Sequence, residues 1–188
     1  PLSVVLHAVN RIKINDNSKI LILGAGGIGA LLCAVLKNIT EKITILDKLD
    51  YRLNHTNKYF KPAKTINIST NKILNDVKNG YLNDEFDIIF DCITNNSSFE
   101  ISNFLLRPSG KIVIVGIPEF DHIKLNPHKL RIKEADLINV RRSNIGYEHC
   151  INFQTKYSLP LDNLITHTFD LSSIQNAFEL NEKYKKNI

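Results

Sequence analysis

Short apolar runs alternate along this chain with segments whose apolar residues recur every three or four positions. Leu2, Val5, Leu6 and Val9 fall at helical spacing, and a polar turn of Asn15, Asp16, Asn17 and Ser18 follows. Residues 19–23 read as a short buried strand that runs straight into a glycine cluster. A helix is predicted over 28–37, apolar nearly all round, and a second strand over 42–46 ends at Asp47. The alternation continues with a helix over 51–60 that stops before Pro62, a strand at 65–68, a helix over 71–79 with Gly80 as C-cap, and a buried strand over 86–91. After the polar stretch 94–98 come a helix over 99–106, a turn at Pro108, Ser109 and Gly110, a strand over 111–115 ending at Gly116, and a further strand at 137–140. This order predicts βαβ units and an α/β fold with a doubly wound parallel sheet. Such sheets bind ligands at the carboxyl ends of their strands. From Tyr147 the pattern differs: a helix over 148–157, a strand over 164–169, and a helix over 172–184 capped by Ser172 or Ser173.

The glycine cluster carries the first chemistry. Gly24, Gly26 and Gly29 fit G-x-G-x-x-G, with Ala25, Gly27 and Ile28 between them. The pattern is weak alone, but here a strand precedes it, an apolar helix follows, and the next strand ends on an acid about 20 residues on, as the dinucleotide-binding (Rossmann) fingerprint requires. Gly24 permits the tight turn, Gly26 lets backbone approach a pyrophosphate, and Gly29 lets helix and strand pack closely. The helix N-terminus offers free N–H groups to phosphate. Asp47 is placed to accept hydrogen bonds from the adenosine ribose. Its charge would repel a 2′-phosphate, which favours NAD over NADP. Lys48 and Arg52 stand close enough to meet a phosphate or to wall the adenine. No Lys-Ser or Lys-Thr follows Gly29, so phosphoryl transfer has no support.

Charge and cysteines narrow the picture a little. The net charge is +5, and the lysines are scattered apart from the basic end at 183–186, which fits a solvated surface and no nucleic-acid partner. Cys33, Cys92 and Cys150 are odd in number and far apart, so neither a disulfide framework nor a structural zinc is expected. Cys33 and Cys92 read as small core residues. His7, His55, His122, His128, His149 and His167 show no ligand spacing, and there is no nucleophile elbow; no metal ligand and no catalytic residue is assigned in this chain. Neither a signal peptide nor a long apolar span is seen, which makes a cytoplasmic setting and no membrane contact the default. The chain begins at Pro1 and contains no Met, which suggests a fragment or a processed chain.

These motifs together resemble the cofactor domain of the medium-chain, zinc-dependent alcohol and polyol dehydrogenases, in the sorbitol and threonine dehydrogenase branch. Residues 1–9 resemble the helix that links the two domains there. Residues 19–29 resemble the nucleotide loop, and Asp47 with Arg52 and Leu53 the ribose-binding acid and following helix. Residues 86–92 and 110–116 resemble the fourth and fifth strands, Arg141, Arg142, Ser143 and Asn144 the strand after the dimer region, and Leu164 to His167 with Ala177, Phe178 and Glu179 the tail.

The resemblance implies a NAD(H)-binding Rossmann domain over 1–146 and, over 147–188, a tail packing toward a GroES-like catalytic domain absent from this sequence. Cys92, Ile93 and Thr94, then Val115, Gly116 and Ile117, would line the nicotinamide half, with Arg141, Arg142 or Asn144 approaching the nicotinamide or the cofactor's phosphates. The implied reaction is hydride transfer between an alcohol or polyol and nicotinamide. Zinc would come only with the missing domain, so this chain alone is expected to bind NAD and not to turn over. A homodimer or tetramer is expected through the sheet edge at 126–140. The alternative is a stand-alone nucleotide-binding or redox-sensing module, since the same loop serves both.

Overall fold

The computed structural model describes residues 1–69, 85–118 and 121–186, and the side chains among them up to Lys183. The helix expected over 71–79, with its cap Gly80, lies outside the described residues.

Among the described residues, six strands form one parallel sheet in the order β3-β2-β1-β4-β5-β6. They are β1 (Ile20–Leu23), β2 (Ile43–Asp47), β3 (Lys64–Asn67), β4 (Phe86–Asp91), β5 (Leu106–Ile114) and β6 (Asp136–Asn139). The helices are α1 (Leu2–Asn10), α2 (Gly27–Leu36), α3 (Asp50–Phe60), α4 (Asn96–Leu105), α5 (Pro127–Ile132), α6 (Tyr147–Tyr157) and α7 (Ile174–Lys186). The strand order reverses between β1 and β4, which makes their carboxyl ends the switch point where open sheets of this kind take ligands.

Period-two alternation divides the core between the two faces of the sheet. Ile20 and Ile22 of β1, Ile43 and Ile45 of β2 and Phe90 of β4 pack with Leu31, Leu32, Val35 and Leu36 of α2 and with Val5 and Val9 of α1. Leu21, Leu23, Leu46 and Ile89 face the other way, onto Ile101 and Leu105 of α4. β1 is buried along its whole length, which is why it reads as an unbroken apolar run. Helix α2 lies between the sheet, α1 and the turn Leu161–Leu164, and this burial on all sides accounts for its apolar circumference. Cys150 of α6 and Leu159 are buried in the same layer.

Two expected elements come out differently. Pro108, Ser109 and Gly110 lie inside β5 and not in a turn before it. Phe86 pairs with Leu106 and Ile88 with Lys111, so these residues bulge from the ladder. The bulge is held because the Ser109 N–H donates to the Lys133 carbonyl at 2.6 Å, with Ser109 at φ 57°. The second correction concerns 164–169. Leu161–Leu164 is a 3-10 turn, and residues 165–170 run in irregular backbone toward the 3-10 turn Leu171–Ser173 and α7. A strand needs a neighbouring strand to satisfy its backbone, and residues 165–170 pair with none of the six strands of the described residues.

α2 and the turn after β1 approach each other too closely for a side chain at Gly29. A Cβ on Gly29 would stand 1.8 Å from the Gly24 carbonyl oxygen. Gly29→Ala is expected to destabilise the chain by roughly 3 kcal/mol in urea unfolding, through a backbone clash that cannot relax without moving α2.

Candidate functional site

Each strand end at the switch point is tied to its neighbour before the chain turns away. The Gly24 N–H donates to the Leu46 carbonyl at 2.7 Å, and the Cys92 N–H to the Leu23 carbonyl at 3.0 Å. Gly24 then reverses the chain at φ +98°, a backbone state that L side chains rarely adopt. Gly26 caps α2 in extended conformation, with no side chain over the helix end. A Cβ on Gly26 or Gly27 would meet nothing within 4 Å. The first turn of α2 therefore presents bare backbone N–H groups to open space, the arrangement that binds phosphate.

Asp47 closes this loop from the side. One carboxylate oxygen accepts from the Ala25 N–H at 2.7 Å and the other from the Leu49 N–H at 2.9 Å. The residue is 5% exposed, and a guanidinium nitrogen of Arg52 stands 3.8 Å away. The same arginine bonds the Tyr51 hydroxyl at 3.1 Å. Asp47 thus both holds the glycine turn and keeps a carboxylate edge at the cleft. Lys48 is exposed at the rim.

A second carboxylate, which the sequence did not single out, organises the next turn. Asp91 is 0% exposed. It accepts from the Ile93 N–H at 2.9 Å, the Thr94 N–H at 2.8 Å and the Ser98 hydroxyl at 2.7 Å. Ser98 also completes a capping box with Asn95 at the start of α4. The stretch 94–98 is therefore a strand-to-helix connection with α4 beginning at Asn96, not a polar loop preceding a helix at 99. Its signal was present as Asn95 and Ser98 at capping spacing. Thr94 adopts φ 57° and donates to the Gly116 carbonyl at 3.0 Å, joining the ends of β4 and β5. The Asp91 carbonyl accepts from the N–H groups of Val115 and Gly116, each at 2.9 Å. Burial raises the Asp91 carboxyl above the usual range, opposed by its three donors. Burial also raises the thiol of half-buried Cys92, and the neighbouring Asp91 charge adds to this. Cys33, on the buried part of α2, is pushed up to about 12 by burial.

Two clefts open on this edge. One of about 570 Å³ is lined by Gly24, Gly26, Gly27, Ile28, Gly29, Asp47, Lys48, Arg52, Cys92 and Ile93, with Ser97 and Ser98. The other, of about 840 Å³, is lined by Cys92, Thr94, Val115, Gly116, Ile117, Arg141 and Arg142, with Ile28 and Phe99. They meet at Ile28 and Cys92. All fifteen expected cofactor residues line one or both. Asn144 lines neither. A different cleft of about 580 Å³ lies at the opposite, amino ends of the strands, around Lys19, Asp87 and Arg107. His55 and His167 share a smaller cleft behind the glycine loop, but no group of three or more His, Cys, Asp or Glu among the described residues could hold a metal ion. No helix of the described residues is long and apolar enough to cross a membrane.

A parallel sheet ordered 3-2-1-4-5-6 with a glycine turn at its switch point is a Rossmann-type nucleotide-binding fold. Residues 27–156, more than half of the chain, match the family model of the zinc-binding dehydrogenases, and the chain belongs to that family. It is 27% identical over 194 residues to the sorbitol dehydrogenase of Bombyx mori, covering 96% of this chain and 52% of that protein. It is 28% identical over 192 residues to the L-idonate 5-dehydrogenase of Vitis vinifera, covering 95% and 50%. Among solved structures, the short chain alcohol dehydrogenase rspB of Escherichia coli CFT073, complexed with NADH, superposes with a TM-score of 0.85 at 22% identity over 97% of this chain and 53% of that one. The chain spans about half the length of the curated relatives it matches.

Asp91 gives a pH signature. The folded protein keeps this proton to higher pH than the unfolded chain, so its contribution to stability is full below the unfolded carboxylate range and is lost as pH rises through the raised value. Urea midpoints across that window should show this decline, and Asp91→Asn should flatten it. Asp91→Ala should cost about 2 kcal/mol at every pH, because it strands buried donors.

Proposed function

We propose that this chain is the NAD(H)-binding part of a zinc-type alcohol or polyol dehydrogenase. The observation that carries this is the double cleft: an open glycine cradle with a carboxylate beside it, continuous through Ile28 and Cys92 with a second cleft between the ends of β4 and β5. The residues fit a dinucleotide, since the space over Gly26 and Gly27 is clear and the α2 N-terminus is uncapped.

In this proposal the backbone of Gly26, Gly27 and Ile28 holds the pyrophosphate. Asp47 takes the adenosine ribose, and its negative charge disfavours a 2′-phosphate. Lys48 and Arg52 flank the adenosine. Cys92, Ile93 and Thr94 wall one side of the nicotinamide half, and Val115, Gly116 and Ile117 the other, with Arg142 at the rim. When bound, the nicotinamide exchanges a hydride with the alcohol carbon of the substrate. The described residues do not fit a zinc centre, so no step is assigned to a metal within this chain.

Residues 1–146 are proposed as the nucleotide domain and 147–188 as the tail that faces a catalytic domain. Ile165, Leu171, Ile174 and Phe178, each at least half exposed, form the apolar surface it would cover. The relatives' names, sorbitol and L-idonate dehydrogenase, support a polyol-like substrate. β6 is an edge strand, which supports pairing of two sheets there into a dimer, or a tetramer built from such dimers. Three free cysteines suit a reducing, cytoplasmic compartment.

Calorimetric titration with NAD⁺, NADH and NADPH tests the proposal. NAD(H) should bind more tightly than NADPH, and Asp47→Asn should narrow the gap about tenfold or more, the scale of one lost charge contact. Gly26→Val should fill the cradle and abolish binding, while leaving the urea midpoint within about 0.5 kcal/mol of the parent because nothing in the fold lies there. Binding that survives Gly26→Val would place the nucleotide elsewhere and sink the proposal.

A further inference from the structure

We infer that Thr94 is a positioning residue for the nicotinamide half of the cofactor: its hydroxyl clamps the turn that divides the two clefts to the end of β5. This rests on the proposed nucleotide function of the double cleft.

The turn after β4 is the partition between the clefts. Ile93 and Asn95 line the first cleft, Thr94 lines the second, and Cys92 borders both. On one side the partition abuts the glycine turn, since a Cβ on Gly24 would stand 3.2 Å from Ile93 and 3.6 Å from Cys92. On the other side it meets β5 through Thr94, whose hydroxyl donates to the Gly116 carbonyl at 3.0 Å. The fit there is tight. A Cβ on Gly116 would stand 2.6 Å from the Thr94 Oγ1 and 2.7 Å from the Cys92 carbonyl carbon, so a side chain at 116 would push the partition away from β5.

Thr94 holds this place against its own backbone preference. Among the described non-glycine residues with positive φ, it alone is buried and β-branched; the others, such as Lys61, Ser109 and Arg142, are exposed. A branched side chain crowds the backbone at φ 57°, a state that glycine occupies freely. If the turn had only to reverse the chain, glycine would suffice. What threonine adds is the hydroxyl that spans to β5. Strain of this kind persists where neighbouring bonds over-determine the conformation, and it gathers at ligand sites. Here the Thr94 N–H donates to the Asp91 carboxylate at 2.8 Å, and the Asp91 carbonyl takes the N–H groups of Val115 and Gly116. The clamp therefore fixes how far the partition stands from β5, and with it the width of the second cleft between the strand ends. The glycine cradle and Asp47 are tied to each other through the Ala25 N–H and do not depend on this bond.

The test is calorimetric titration of the chain with NADH and with ADP-ribose, which lacks only the nicotinamide ring. The parent should bind NADH more tightly. Thr94→Gly removes the hydroxyl and accepts the backbone conformation without strain, so the variant should stay folded. It should bind NADH about fivefold more weakly, the scale of one lost hydrogen bond, while its affinity for ADP-ribose stays within about twofold of the parent's. Thr94→Ser keeps the hydroxyl and should restore the parent's ratio of the two affinities. A Thr94→Gly variant that keeps that ratio, or that weakens both ligands together as a merely structural residue would, overturns the inference. A parent that binds NADH and ADP-ribose alike overturns it too and leaves the nucleotide site standing, whereas a parent that binds neither overturns the proposed function along with it.

Discussion

The fold depends on one contact that leaves no room for a side chain. Gly29 sits so close to the Gly24 carbonyl that α2 lies directly against the end of β1. That closeness sets the helix N-terminus over the carboxyl edge of the sheet and forces Gly24 into its left-handed turn. The turn in turn aims the Ala25 N–H sideways at Asp47, at the end of the neighbouring strand. A single steric constraint in β1–α2 thus fixes where the free N–H groups of α2 point and which residue of β2 borders them. The apolar circumference of α2 serves the same end. A helix buried between sheet, α1 and the 161–164 turn has little freedom to tilt, so the loop at its head is held by the core and needs no side-chain cap.

Asp47 and Asp91 do the same mechanical work at the ends of β2 and β4. Each is a buried carboxylate that gathers backbone N–H groups from the turn following a strand. They differ in surroundings. Asp47 keeps a cation, Arg52, near it and an edge toward the cleft, whereas Asp91 is sealed and takes a serine hydroxyl instead. The first arrangement leaves charge available to a ligand. The second commits three acceptor positions to architecture, and its raised proton affinity reflects the burial.

This difference explains what was legible in the sequence. The β1–α2–β2 unit was readable because its parts obey a spacing rule, with glycines at fixed offsets and an acid at the end of the next strand. The buried strands were readable as apolar runs. Asp91 obeys no such rule, since its partners are backbone groups and a serine seven residues on, so its role emerges only with the turn folded. The bulge at Pro108, Ser109 and Gly110 was hidden for a related reason. Turn-forming residues mark a departure from regular backbone, but whether the chain leaves the sheet there or rejoins the same strand depends on an anchor such as the Lys133 carbonyl, which lies 24 residues on from Ser109. Residues 164–169 show the converse. Their apolar pattern suits a strand, yet a strand exists only where an edge is available to pair with, and that belongs to the topology and not to the segment.

Charge is distributed along the double cleft in a way that separates its tasks. One arm has the free backbone N–H groups at the head of α2, and Asp47 at its far wall. The other has two arginines at its rim. The midline where they meet, at Ile28 and Cys92, bears no charge, because burial and the adjacent Asp91 keep the Cys92 thiol protonated at neutral pH. An uncharged junction suits hydride transfer as proposed for this family member. A thiolate there would stabilise the cationic ring and so oppose its reduction, and it would also compete as a nucleophile.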